Sequence, residues 1–176
     1  MRDIAELTEN ELTLSLTYAG FVLLAYELMK ELIVAPIKAF YSHTTFGEGL
    51  PFKSYEADVL SRHKSEFEAC LLYLRDFMRA LDSDDVLAIQ GLRKHRNDLA
   101  HDLVDRLGEL DISDYRPLLD KAERALFKLS NHRTYMEIGS DPEFQNIGIN
   151  WDTVKGHEYL IFEAIVKKVK ILQESK

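Results

Sequence analysis

Apolar residues recur along most of this chain at alternating four- and three-residue spacings, the period of an amphipathic helix. Leu14, Tyr18, Phe21, Ala25, Leu28, Leu32 and Ala35 form one such face in a helix predicted from about Asn10 to Tyr41. Val22, Leu23, Ile33 and Val34 widen the face, so this helix is expected to be central and contacted from two sides. Pro36 is expected to kink or end it, because proline lacks the N–H and crowds the preceding turn. A loop, Ser42 to Lys53, follows, punctuated by Gly47, Gly49 and Pro51.

A second helix is predicted from about Ser54 to Leu81. Phe67, Leu71, Leu74, Met78 and Leu81 make its inner face, broadened by Cys70, Tyr73 and Phe77. The turn Asp82-Ser83-Asp84-Asp85 offers a capping serine and acidic groups for the next helix start. That third helix is expected from about Asp84 to Leu107, with a bend at Gly91 and a stop at Gly108. A fourth begins near Ser113 or Asp114 and tolerates Pro117 in its first turn. Its inner face is Leu118, Leu119, Ala122, Ala125, Leu126 and Leu129. Asn131 to Asn150, with Gly139, Pro142 and Gly148, reads as a long irregular segment. Asp152 is expected to cap a final helix with Val154, Ile161, Phe162, Ile165, Val169 and Leu172 inward. The expected architecture is an all-α, up-and-down bundle of four long helices plus a fifth C-terminal helix, one domain spanning 1–176.

Composition narrows the function classes. The net charge of -8 argues against broad, sequence-blind wrapping of nucleic acid, though not against a local RNA contact. The single cysteine, Cys70, sits on an apolar stripe and reads as a packed thiol in a reducing compartment rather than a nucleophile. The start, Met1-Arg2-Asp3-Ile4-Ala5-Glu6, has no apolar signal segment. The most apolar region, Leu12 to Tyr26, is short of the roughly 20 residues that span a bilayer. A cytoplasmic, soluble protein is the expectation.

Chemistry concentrates in Arg96-Asn97-Asp98-Leu99-Ala100-His101 on the third helix. Arginine is a fixed cationic fork for phosphate. Histidine can give or take a proton near neutral pH. With 10 Arg and 6 His, chance supplies about 0.3 pairs at this spacing, so context must carry the reading. With Leu92 set at zero on an ideal helix, Leu99, Leu103 and Leu107 fall at about 340°, 20° and 60°, the inward stripe. Arg96 falls at about 40°, within that stripe, while Asn97 and His101 fall at about 140° and 180°. A charged group among leucines requires an acidic partner, a break in the helix, or an interface where phosphate completes the pairing. Arg96 and His101 do not aim at one atom from one straight helix. A two-fold dimer could join two copies in a composite cleft.

The stretch Gly91-Leu92-Arg93-Lys94-His95-Arg96-Asn97-Asp98-Leu99-Ala100-His101-Asp102-Leu103 resembles the signature of HEPN domains. Their pattern is Arg, a polar residue often Asn, three more residues, then His, on a helix of a small bundle. The likeness is specific over about a dozen residues and architectural elsewhere. It implies a dimeric endoribonuclease that needs no metal or other cofactor and attacks the phosphodiester with the ribose 2′-hydroxyl. Carried over, His101 is the general acid/base, Arg96 stabilises phosphate charge, and Asn97 orients His101 or the hydroxyl. Such proteins serve as toxins or in phage defence, some beside a nucleotidyltransferase-type antitoxin. The tyrosine that such partners modify is replaced here by Leu103, which weighs against that form of control. Many relatives of this type are inactive binding modules. A non-catalytic helical module for RNA, nucleotide or protein, including a nucleotide-sensing regulator, is therefore the alternative.

Arg93, Lys94 and His95, with Arg106, add local positive charge suited to binding RNA substrate. A solvated face neutralised by Asp98, Asp102 and Asp105 explains the same residues. His43, His63, His132 and His157 show no metal-ligand spacing and read as surface or packing residues, His63 at the edge of the second helix's stripe. Trp151 reads as a packing anchor, with base stacking as the other option. Lys167, Lys168 and Lys170 suit an outer face near a helix C-terminus.

Overall fold

The computed structural model describes residues 7–106, 115–139, 141–145 and 147–174. Among them there are no strands, and helix accounts for 79%. The order is α1 (Glu9–His43), α2 (Tyr55–Asp58), a 3-10 turn (Leu60–Arg62), α3 (Glu66–Asp76), α4 (Ser83–Arg106), α5 (Arg116–Ile138), α6 (Pro142–Gln145), a second 3-10 turn (Trp151–Thr153) and α7 (His157–Glu174).

α1 begins in a capping box. The Thr8 hydroxyl accepts from the Glu11 N–H, and the Glu11 carboxylate accepts from the Thr8 N–H at 2.8 Å. Its 35 residues continue through Pro36, so the expected kink or end does not terminate it. The proline costs one ladder bond, and packing on the rest of a long helix sustains it. α1 touches α3, α4, α5 and α7, which gives it the central place its wide apolar face implies. Tyr18, Val22, Met29 and Ile33 on that face are fully buried, whereas Leu23 and Ala35 are exposed.

The single second helix expected over Ser54–Leu81 is three pieces. Ser54 caps α2, the polar run Ser61 to Ser65 interrupts, and α3 ends at Asp76. Arg79 adopts a positive φ of 55°, which turns the chain toward α4. His63 lies in the interruption, exposed, with Nδ1 accepting from the Ser65 N–H at 3.0 Å, and so is not at the core edge. Beneath the 44–54 loop, Phe40, Tyr41, Phe46 and Phe52 pack ring on ring.

Ser83 opens α4, but the cap is reciprocal between Asp82 and Asp85, each carboxylate accepting the other's N–H at 2.9 Å. α4 leaves helical geometry at Asp102 (φ -117°, ψ 19°), not at Gly91. Gly91 serves packing instead: a Cβ there would stand 2.9 Å from the Leu118 side chain on α5. The expected stop at Gly108 and start near Ser113 lie outside the described residues; Pro117 does occupy the first turn of α5.

α5 runs to Ile138, well into the stretch expected to be irregular, and α6 takes a further turn of it. Asn150, not Asp152, caps, and what it caps is the 3-10 turn. The last helix starts only at His157, where Tyr159, Phe162 and Val166 face the core and Ile161 does not. The inward placement of Val169 and Leu172 lies outside the described side chains. Trp151 packs edge-on against Tyr135. No helix among the described residues is long and apolar enough to cross a membrane.

Candidate functional site

α4 carries the Arg-Asn-x3-His hexad along the side of α1. Leu92 and Leu99 are fully buried and Leu103 is partly so, which fixes the stripe deduced from helical angles. Arg96, within that stripe, escapes full burial by leaning outward; its side chain is 32% exposed. Its guanidinium carbon lies 5.5 Å from the centre of the Tyr26 ring on α1. One terminal nitrogen donates to the Asn97 side-chain oxygen at 3.2 Å. The other stands 3.6 Å from a Glu27 carboxylate oxygen, a long contact with a half-exposed partner. Arg96 Nε is buried and has no hydrogen-bond partner among the described residues. A cationic donor left in that condition is costly unless an acceptor reaches the group.

Glu27 is thus the acidic group that a charged residue on an apolar stripe demands. Arg96 and Asn97 are brought together; His101 is not joined to either by a hydrogen bond or ion pair. It stands exposed on the last regular turn before the break at Asp102, and among the described residues nothing hydrogen-bonds it.

The three flanking basic residues separate. Lys94 is exposed. Arg93 is held by Glu68 of α3 at 2.7 Å, above the Phe67 ring, and Glu68 also accepts from Gln90 at 2.7 Å. His95 corrects the expectation of a surface cation for substrate. It is only 5% exposed; its Nε2 shares a hydrogen bond with the Tyr18 hydroxyl at 2.9 Å, and its ring stacks on Tyr115 at 3.8 Å. Burial, and then the nearby Tyr115, push the Tyr18 phenol far above its usual range, so it stays neutral. His95 is a structural joint between α1, α4 and the start of α5. Its place follows from the helix itself: His95 lies three residues after Leu92 and four before Leu99, both buried.

Sequence reasoning missed Tyr26, Glu68, Tyr18 and Tyr115 as neighbours of the hexad. Periodicity says which face of a helix is inward and not which helix it meets. Cys70 is buried as expected, 3.5 Å from the Tyr55 hydroxyl, and burial pushes its thiol up, away from nucleophilic use. Among the described residues no three His, Cys, Asp or Glu side chains converge as a metal-binding set. No family model, curated protein or solved structure matches the chain.

Proposed function

We propose that this chain is a metal-independent endoribonuclease of the HEPN type, built as an up-and-down helical bundle and active as a homodimer. The observation that carries the reading is Arg96. It is a guanidinium backed by Asn97 and Tyr26, with an unsatisfied Nε and only a long carboxylate contact, five residues before an exposed histidine. A phosphate oxygen arriving there would replace the Glu27 contact with a shorter, charge-assisted one.

In the proposed reaction His101 accepts the 2′-hydroxyl proton and the 2′ oxygen closes on phosphorus. The bond to the 5′ oxygen breaks, and that oxygen takes a proton from the second copy's imidazole. The products carry a 2′,3′-cyclic phosphate and a 5′-hydroxyl. Asn97 holds the guanidinium toward the phosphate, and exposed Lys94 adds charge along the RNA path. The dimer is supported by a row of exposed apolar residues on α1, Leu16, Leu23 and Leu24, on the side that presents Glu27. A toxin or phage-defence role, and an antitoxin of nucleotidyltransferase type, belong to the same proposal.

The alternative, a non-catalytic binding module, is favoured by one observation: nothing in the described chain orients His101. Cleavage of single-stranded RNAs by wild type, His101→Ala and Arg96→Ala, in the presence of a metal chelator, separates the two. The nuclease reading expects cyclic-phosphate ends and a loss of at least about 100-fold in either variant. Equal cleavage by wild type and His101→Ala refutes it. RNA binding without cleavage by the wild type selects the module.

A further inference from the structure

A cavity of about 470 Å³ opens between the second half of α1, the end of α3 and the second half of α5, away from the hexad. That volume is within the roughly 300–1,000 Å³ of small-molecule sites. Its origin is legible in side-chain size. Ala35, Pro36 and Ala39 give α1 a low wall where larger residues would fill the gap. The rest of the lining includes Phe40 of α1 and, from across the cavity, Tyr73, Met78 and Met136: aromatic rings and thioethers, which suit a flat aromatic guest.

The polar groups in the lining are nearly all committed. Arg133 is bound by Glu137 at 2.8 Å and by Glu158 at 2.6 Å, so its guanidinium is already satisfied by carboxylates. The Tyr73 hydroxyl takes a hydrogen bond from Tyr41. His132 is different. It is half-buried in the lining and makes no hydrogen bond to any described residue. Burial also holds its pKa below the usual histidine value, so at neutral pH it presents an uncharged imidazole able to accept or donate one hydrogen bond.

We propose that this cavity binds an uncharged aromatic ligand bearing one hydroxyl group, with the ring against Phe40, Tyr73, Met78 and Met136 and the hydroxyl on the His132 imidazole. The rings and thioethers of the lining set the aromatic part. The committed guanidinium disfavours an anion, the largely apolar lining favours an uncharged guest, and the imidazole that no described residue hydrogen-bonds sets the hydroxyl. This site stands whether or not the hexad cleaves RNA.

The test uses 2-naphthol as probe and naphthalene as its analogue without the hydroxyl, titrated into the full chain by fluorescence and calorimetry. Wild type is expected to bind 2-naphthol more tightly than naphthalene. His132→Leu is expected to weaken 2-naphthol about tenfold, the value of one hydrogen bond, and to leave naphthalene unchanged. Ala39→Trp, at an exposed wall position, is expected to abolish both. Circular dichroism checks that each variant folds, and Ala39→Trp decides the cavity even if His132→Leu does not fold. No binding of 2-naphthol to folded wild type, or equal binding to wild type and Ala39→Trp, overturns the site. Equal loss of both probes in His132→Leu overturns the hydroxyl assignment.

Discussion

Replacing Tyr18 with phenylalanine keeps a ring in the middle of the core and removes one oxygen. That oxygen lies 2.9 Å from His95 Nε2, in a place where Tyr18 is fully buried and His95 nearly so. Phenylalanine fills the ring's volume, so the cavity left is small and the main loss is the hydrogen bond. A buried imidazole nitrogen deprived of that bond costs roughly 1–3 kcal/mol. For a chain of this size that is a fall in Tm of roughly 3–10 °C. Urea unfolding of Tyr18→Phe, His95→Leu and the double variant measures it. The double variant is expected to lose less than the sum of the singles, because both single variants remove the same hydrogen bond. Additive losses, or a Tyr18→Phe protein as stable as wild type, would show that His95 is not held as a structural joint. A drop in RNA affinity for His95→Leu with no drop in stability would restore it to the surface set.

Gly156→Ala is expected to destabilise by roughly 1–3 kcal/mol, because its Cβ would fall 2.4 Å from the Ser130 hydroxyl and 2.7 Å from that of Thr134 on α5; thermal melts check it. Gly91→Ala meets only the tip of Leu118 and gains helix propensity of about 1 kcal/mol, so its melt should stay near or above wild type. The Lys128 ammonium, and after it the Asp85 backbone N–H, hold the Asp82 carboxyl down at about 2. Its folded value is thus below its unfolded one, so its contribution is full above the ordinary carboxylate range and is lost as pH falls toward 2. The stability gap between wild type and Asp82→Asn should therefore be present at pH 6 and closed near pH 2, by denaturant titration at each pH. His132 has the same sign for another reason: its folded pKa is depressed by burial, so stability should fall as pH drops below the ordinary histidine value. His132→Leu should remove that part of the pH profile.

Much of the secondary structure lies on the surface of the sequence. The four-three spacing gave the inner faces of α1 and α5 nearly residue by residue, since an amphipathic helix writes its buried side into its period. The same rule put Arg96 on an apolar stripe and His101 off it. Boundaries failed where competition was local and close. Ser54 to Leu81 contains enough apolar residues for one helix, yet the polar run before Ser65 interrupts it. The Asn131 to Asn150 segment holds its glycines late, so α5 persists past the point where polar residues suggested a loop.

By itself the sequence determined the helical class, the faces and the grouping of an arginine, an amide and a histidine on one helix. The tertiary structure decided which partners those groups meet. Glu27 and Tyr26 come to Arg96 from a helix some 70 residues earlier in the chain. Tyr18 draws His95 into the core while its neighbour Lys94 stays in solvent. The cavity beside His132 arises from three small residues of α1 opposed to α3 and α5. Periodicity is a property of a single helix, and these arrangements are properties of the contacts between helices, which no spacing within one helix encodes.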